Sequence, residues 1–381
     1  MSELDTARMS SDFGLAEQQG REAKLLQVYQ RENPAVALVN MQPFYATPIF
    51  PLVECMADFT KMEAQARRMM AQMASSHSDT PVNVATFITI GMVAEAFGAS
   101  VEFLPTGEVA VLPAFDDISA VRHLKPTPVR QLEYYSKMRA WVDYSQSHIG
   151  TDYPFWGLDI QGPFSVADTI MGTTNLMLAM YDDPELVHKL LQMITDVSIE
   201  LHSDHLAQAE HPGFPGRNFP SISENVGLVV SEDTPMIMLS PDMYREFSLP
   251  YVNQLSQHFG GLSVHCCGDW RLKADCLLEI DQIRAVQLHG GPGEFPLPSE
   301  TEEDSVFAQV GQQICTLVDS NVISRSDEWA KRPLDFHEEY LLPRLTLNPP
   351  NWLIVDIPEA DPATNDSELV AATKAGLAAR L

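Results

Sequence analysis

The stretch LSVHCCGD (residues 262–269) places His265 and Cys267 two positions apart, directly after a short apolar run. The run predicts a buried strand, and alternate residues of an extended backbone point to the same side. An imidazole and a thiolate on one side could bind one zinc ion, which takes such ligands in tetrahedral geometry. Cys266, between them, is expected to point into the packed interior. A strand end that carries two thiols and no metal is the alternative interpretation.

Further polar residues follow other strand-like runs, where the carboxyl ends of parallel strands would bring them together. They are Asp159, Gln161, Glu224, His289, Asp319 and Ser320. Of these, we predict Asp159, Gln161 and His289 as catalytic residues beside a substrate. Asp159 could instead cap the following turn, and His289 could instead be a satisfied loop histidine.

Strand-like and helix-like stretches alternate along the chain and would position these residues. The strand-like runs are AVALVNM, WGLDI, GLSV, RAVQL, ICTLV and WLIVDI. Asp183 and Ser240 each precede a proline, the arrangement typical of a helix N-cap followed by proline at the first helical position. The helix after Asp183 should bury the stripe Leu186, Leu190, Ile194, Val197 and Leu201. We place His202 and His205 on its solvated side.

Repeated strand-then-helix alternation predicts a parallel sheet. The length of 381 residues and the absence of a clear linker favour a single closed (β/α)8 barrel over two doubly wound domains. We therefore predict an N-terminal helical extension at residues 1–33 and a barrel at residues 34–381. The methionines of the predicted helix over 60–76 and the thiols of Cys266 and Cys276 are expected to fill the core.

The composition excludes several classes of partner. Twenty-four Lys and Arg against 52 Asp and Glu give a formal net charge of -28. Such a surface repels nucleic-acid phosphates and anionic lipid headgroups, so neither is expected as a partner. Five cysteines in a chain of this size do not suggest a disulfide framework. With no apolar signal segment and no run long enough to span a bilayer, we expect a cytoplasmic protein.

Four further segments, together with LSVHCCGD, resemble the uroporphyrinogen decarboxylase superfamily. They are GMVAEAFGASVEF (91–103), IQGPFSVADTIMG (160–172), YDDPELVHKLLQMIT (181–195) and LSPDMYREFSLPYVNQL (239–255). The resemblance runs from about residue 35 onward and implies a (β/α)8 barrel. Members of this superfamily either decarboxylate uroporphyrinogen without a metal or transfer methyl groups from a corrinoid to a thiol with zinc.

The residues depart from the decarboxylase pattern. The stretch VALVNMQPFYATPIF (36–50) has no Arg or Lys where that enzyme holds the carboxylates of its substrate. Thr89 and Thr169 stand near the positions of its aspartate and tyrosine, and LNPPNWLIVDIPEAD (347–361) lacks its late histidine. Carboxylates are costly to desolvate without cationic partners, so an octa-anionic porphyrinogen is an unsuitable substrate.

The resemblance therefore implies the methyltransferase branch, in which His265 and Cys267 stand at the positions of two zinc ligands. The third ligand of those enzymes, a cysteine near the last strand, is absent here. Glu224 is our first substitute, with Cys315 and His289 as further candidates, and Asp269 could orient His265. Zinc would activate a small methyl acceptor, and a separate corrinoid protein would supply the methyl group. The resemblance also implies a homodimer.

Two alternatives remain open from the same sequence. One is a metal-free decarboxylase or other lyase of a small acid. The other is a non-catalytic barrel that binds a corrinoid or a tetrapyrrole. The missing third cysteine favours these alternatives, whereas the His-x-Cys spacing favours methyl transfer.

Overall fold

A computed structural model describes residues 14–29, 38–42, 50–75, 78–79, 81–84, 90–104, 109–155, 158, 160–209, 213–215, 221–223, 228–266, 268, 270–289, 309–310, 313–319, 353–358, 371 and 374–375. Its α-helices are α1 (Leu15–Tyr29), α2 (Leu52–Ala57), α3 (Phe59–Ser75), α4 (Met92–Glu95), α5 (Glu133–His148), α6 (Pro163–Met171), α7 (Thr173–Asp182), α8 (Pro184–Gln208), α9 (Asp233–Met238), α10 (Pro241–Phe247), α11 (Leu249–Phe259) and α12 (Ala274–Leu278). Its strands are β1 (Leu38–Gln42), β2 (Ser100–Phe103), β3 (Val109–Leu112), β4 (Ile160–Gln161), β5 (Gly213–Pro215), β6 (Ser221–Ser223), β7 (Leu228–Ser231), β8 (Leu262–His265), β9 (Ile283–His289), β10 (Cys315–Asp319) and β11 (Leu353–Pro358). No helix within these ranges has the length and apolarity that a bilayer crossing requires.

Seven strands form one parallel sheet in the order β1-β11-β10-β9-β8-β7-β4. From β4 to β11 this order follows the chain, and β11 then pairs with β1. All six strand-like runs named above contribute to these strands, although WGLDI contributes only its last residue, to β4. The predicted α/β class with a parallel sheet is thus confirmed.

The predicted closure into a (β/α)8 barrel is not confirmed. Within the described ranges the sheet is open between β1 and β4. Val84 forms an isolated parallel bridge with Phe155, and its backbone N–H donates to the carbonyl of Pro154 at 2.8 Å. Phe155 lies five positions before Ile160, the first residue of β4. Residues 85–89, which follow Val84, lie outside the description, so the closed barrel stays a prediction.

The helix α8 forms as its sequence predicts. Asp183 caps it by accepting a hydrogen bond from the backbone N–H of Leu186 at 3.3 Å, and Pro184 occupies the first position. The whole predicted stripe is buried, from Leu186 to Leu201. Each fully buried leucine or isoleucine contributes roughly 1.5–3 kcal/mol, so this stripe anchors the helix to the core.

The placement of His202 and His205 in solvent was wrong. Their side chains are only 3% and 1% exposed. The helix α8 packs against α4, α5, α6, α7 and α11, so it is covered on more than the side that its leucine stripe marks. Phe259 at the end of α11 stands edge-on to His202, with ring centroids 6.1 Å apart. A stripe predicts one buried side, and only the surrounding helices decide whether a second side is buried too.

Two features were not predicted. Strands β2 with β3 and β5 with β6 form separate antiparallel pairs outside the main sheet. Helix α1 docks through the buried Gln18, whose amide donates to the carbonyl of Val82 at 2.9 Å and accepts from its N–H at 2.8 Å.

The division into an extension at residues 1–33 and a barrel at residues 34–381 stays a prediction.

Candidate functional site

His265 is the last residue of β8 and lies at the carboxyl edge of the sheet. Its side chain is 6% exposed, so little water reaches it. In the parallel register, Ser231 of β7 is paired with His265, and Gln161 of β4 is paired with Ser231. On the other side, the register Val264 to Val286 brings Gln287 of β9 next to His265.

These four residues form a row across adjacent strands, which we call the lower row: Gln161, Ser231, His265 and Gln287. Residues paired in a parallel sheet share a face, so the row lies on one face, which we call the site face. Ser231, His265 and Gln287 are buried, and Gln161 is half-buried. Of the predicted catalytic residues, Gln161 therefore shares this face with His265.

The ring of His265 is held in place by Gln287. Its Nδ1 contacts the Oε1 of Gln287, and the Gln287 side chain is only 1% exposed. An imidazole nitrogen that faces an amide oxygen acts as the donor of that hydrogen bond. The indole Nε1 of Trp270 donates to the backbone carbonyl of Gln287 at 3.2 Å and fixes that strand. An imidazole oriented in this way suits a metal ligand, because such histidines donate their other ring N–H to an oxygen.

The opposite face of the sheet is apolar and packs on the helices; we call it the helix face. Val230, Val264 and Cys266 are fully buried there, as predicted for Cys266. The backbone N–H of Gly268 donates to the Sγ of Cys266 at 3.3 Å. Cys276 is likewise a buried free thiol. Because successive residues of a strand alternate between faces, Cys266 does not belong to the site of His265.

Glu232 is a buried ionisable residue that the sequence analysis missed. It directly follows β7 on the helix face and is fully buried. The Ser248 hydroxyl donates to its Oε2 at 2.7 Å. Burial raises the pKa of Glu232 from 4.5 to about 7, and the hydrogen bond from Ser248 offsets part of this rise. Its place directly after the apolar run LVVS was the signal that could have found it.

A second polar row, the upper row, lies two residues beyond the lower one along the strands. The backbone register pairs His289 of β9 with Asp319 of β10, Asp319 with Asp356 of β11, and Asp356 with Asn40 of β1. Each member stands two positions after a residue of the site face, so all four positions belong to that face. Asp356 and Asn40 were not predicted, because one strand alone does not show which residue stands beside it.

The remaining predicted site residues have different outcomes. Asp159, Glu224, Cys267 and Asp269 lie outside the described residues, so their predicted roles stay predictions. For His289 and Cys315 the structure describes the strand positions, at the carboxyl end of β9 and the amino end of β10. Among the described side chains, no three His, Cys, Asp or Glu groups come together as a metal site would require.

Comparison with known proteins finds a match to the superfamily that the motifs resemble. Residues 23–210 match the family described as uroporphyrinogen decarboxylase (URO-D). Among solved structures, a methyltransferase from Methanosarcina mazei is similar with a TM-score of 0.62 and 16% sequence identity. The match covers 94% of this chain and 98% of that protein. No curated protein matches the chain. At this identity, the structural match shows a shared fold.

Proposed function

We propose that this chain, which carries a domain of the uroporphyrinogen decarboxylase family at residues 23–210, is a methyltransferase. It would move a methyl group from a corrinoid on a partner protein to a small acceptor, with zinc activating the acceptor. The observation that carries the proposal is the buried pair of His265 and Gln287 on the site face, in which Nδ1 of the imidazole contacts the amide oxygen of Gln287. The similar fold of a methyltransferase supports the same branch of the superfamily.

In this proposal His265 and Cys267 hold the zinc, with Glu224 as the third ligand predicted from the sequence. Bound zinc lowers the pKa of a coordinated thiol and so favours the nucleophilic thiolate. Gln287 keeps the ring of His265 in the ligating tautomer, and the burial of the lower row limits access of water. Gln161 would contact the acceptor from the same row, with Asp159 and His289 beside it.

Methyl transfer forms a bond between the acceptor's sulfur and carbon and breaks the bond between carbon and cobalt. The electron pair of the broken bond stays on the cobalt, so no additional oxidant or reductant is needed. The corrinoid would approach the carboxyl edge of the sheet, where His265 and His289 end their strands. The proposal includes a cytoplasmic location and a homodimer, both of which remain predictions.

The test is the zinc content of protein purified without added metal, measured by elemental mass spectrometry. Near one zinc per chain is expected in the parent and almost none in Cys267→Ser. Cys266→Ser is the matched control, because it removes the adjacent thiol from the helix face and should keep the zinc. The same three proteins are then assayed for thiol-dependent demethylation of methylcobalamin.

Parent activity that disappears in Cys267→Ser and persists in Cys266→Ser would support the proposal. A parent without zinc, or one whose zinc survives Cys267→Ser, would overturn it. Chelator-resistant loss of carbon dioxide from a small acid would instead identify a metal-free lyase. Thermal stabilisation by a corrinoid or tetrapyrrole without turnover would identify a binding barrel.

A further inference from the structure

We infer that an exposed apolar surface on α7, α9 and α10 is a docking site for a basic amphipathic helix of another protein. The short 3-10 helix Arg271–Lys273, which follows β8, completes this surface. We call it the docking surface, and its residues are Leu178, Tyr181, Ile237, Met238, Met243 and Leu272. The inference uses no residue of the proposed zinc site and does not depend on the proposed function.

Five of these six apolar residues are more than half exposed. Their exposed fractions run from 51% for Ile237 to 82% for Leu272, and Met243 is half-buried. Single exposed apolar residues are normal on a soluble protein, whereas a contiguous group of them marks a site of interaction. The contacts among these residues therefore decide what the exposure means.

Contacts between helices join the α7 side of the docking surface to α10. Leu178 and Tyr181 are three positions apart on α7 and so share one side of that helix. The hydroxyl of Tyr181 donates to Sδ of Met243 on α10 at 3.8 Å. The hydroxyl of Ser240 caps α10 by accepting from the backbone N–H of Met243 at 3.2 Å, and only Leu239 separates this cap from Met238. The apolar surface thus continues from α7 through α10 to the end of α9.

Two further contacts fix α9 and join it to the segment after β8. The amine of Lys273 donates to the backbone carbonyl of Met236, which places Leu272 next to the α9 residues. The hydroxyl of Thr234 donates to the carboxylate of Asp168 on α6 at 3.1 Å, and α6 also packs on α7. The docking surface is therefore held in shape by the core before any partner binds.

Exposed acidic residues surround the docking surface. Asp182 follows Tyr181, Asp242 precedes Met243 and is 98% exposed, and Asp275 lies three positions after Leu272. The nearby cations offset little of this charge. Arg245 binds Glu279 through bonds of 2.8 and 3.0 Å, Lys273 is buried and Arg271 is half-buried. The surface therefore presents apolar side chains within an acidic border.

This combination of apolar residues and acids selects the occupant. A helix with one apolar side flanked by Lys and Arg would cover the apolar residues and bring its cations to Asp182, Asp242 and Asp275. The flexible side chains of Met238 and Met243 can adapt to the helix that binds. A second copy of the chain would instead bring its own acids against these, and an anionic lipid surface would be repelled in the same way.

The experiment measures binding of a dye-labelled amphipathic peptide of leucine and lysine by fluorescence anisotropy. The parent should bind one peptide per chain, and added salt should weaken binding. The double variant Tyr181→Ser with Ile237→Ser should bind at least about 10-fold more weakly, because it removes an apolar residue from each side of the surface. Val53→Ser with Leu112→Ser is the matched control, since both residues are about half exposed and lie outside the docking surface.

A second pair of variants separates local charge from the net charge of -28. Asp242→Lys and Glu102→Lys change the charge of the protein equally at exposed positions, but only Asp242 borders the docking surface. Asp242→Lys should weaken binding and reduce its dependence on salt, whereas Glu102→Lys should bind nearly as the parent does. Thermal melting checks that each variant is folded, and if the double variant is not, this pair decides.

Several results would overturn the inference. They are a parent that does not bind the peptide, equal losses in the surface and control variants, and equal binding of a leucine–glutamate peptide of the same pattern. A parent dimer that becomes a monomer in the Tyr181→Ser and Ile237→Ser variant, seen by analytical ultracentrifugation, would assign the surface to a second copy. Binding of phosphatidylglycerol vesicles that this variant abolishes would assign it to a membrane. The zinc content of the parent bears on the proposed function alone.

Discussion

The carboxyl group of Glu232 lies against Gly162, so closely that a Cβ at position 162 would stand 1.6 Å from Oε1 of Glu232. The backbone N–H of Gly162 also donates to the carbonyl of Ser231 at 2.9 Å. The turn after β4 and the turn after β7 are therefore in direct contact at the carboxyl edge. Gly162 belongs to IQGPFSVADTIMG, one of the segments by which the sequence resembles the uroporphyrinogen decarboxylase superfamily. A glycine is required here because a larger side chain would collide with the carboxyl group of Glu232. The backbone conformation does not require it, since its φ of -59° is open to any residue.

Gly162→Ala should destabilise the fold. The added methyl group would have to displace a fully buried carboxyl group, and overpacking of this kind costs about 1–3 kcal/mol. Urea denaturation should show a lower midpoint with an unchanged slope. Gly20→Ala is the matched control, since no atom of the part of the chain that the structure describes lies within 4 Å of a Cβ at that helical position. It should stabilise α1 by about 0.5–1 kcal/mol, and equal effects of the two changes would contradict the proposed clash.

Glu232→Gln should flatten the dependence of stability on pH. Burial raises the pKa of Glu232 from 4.5 to about 7, so between these values the folded state retains a proton that the unfolded state has released. The contribution of the Glu232 proton to the free energy of unfolding is present below pH 4.5 and is lost as the pH rises through 7. Relative to Glu232→Gln, the free energy of unfolding of the parent should fall by up to about 3 kcal/mol over this range.

The measurement is a series of urea denaturation curves from pH 4.5 to 8. Glu102→Gln, which removes an exposed carboxyl group from β2, provides the comparison and should follow the parent profile. Parallel profiles for the parent and Glu232→Gln would show that Glu232 is not the group responsible.

His205→Leu should protect the protein against acid. Burial lowers the pKa of His205 from 6.5 to about 4 and also lowers that of His202. Between these two pKa values the unfolded state binds protons that the folded state does not. The contribution of the neutral, buried histidine to stability is therefore present above pH 6.5 and is lost as the pH falls through 4. Among the described residues, neither ring nitrogen of His205 has a hydrogen-bond partner, so an apolar replacement removes none of the described bonds.

Thermal melting at pH 7, 6, 5 and 4.5 measures this effect. The melting temperature of His205→Leu should decline less toward low pH than that of the parent. His123→Leu, at an exposed position, should decline as the parent does. A parent-like decline in His205→Leu would mean that protonation of His205 does not drive the acid sensitivity.

In the proposed zinc site, Gln287→Leu should weaken zinc binding without removing a ligand. The substitution deletes the oxygen that holds the Nδ1 proton of His265, and loss of such a partner typically costs 10- to 100-fold in affinity, or about 1.4–2.7 kcal/mol. Gln287→Glu supplies an oxygen at the same place and should keep affinity near that of the parent. The bond from Trp270 uses the backbone carbonyl of Gln287 and survives both changes. Unchanged affinity in Gln287→Leu would contradict the role of this pair.

Particular elements show how far the sequence alone leads. The parallel sheet, the cap by Asp183, the buried stripe of α8 and the inward Cys266 all follow from local patterns, because strand alternation and helical periodicity are properties of one segment. Closure of the predicted barrel cannot be derived from local patterns in this way, because it depends on a pairing between distant segments of the chain.

The sequence by itself determined that His265 ends a buried strand and that polar residues end its neighbours. Only the tertiary structure decided that Gln287 faces His265, that Asp319 stands beside His289, and that Glu232 lies over Gly162. It also decided that His202 and His205 are buried, against the expectation from the helix pattern. The physical reason is that register and helix packing join residues far apart in the chain. Which side chain meets which is set by the balance of many such contacts and not by any one segment.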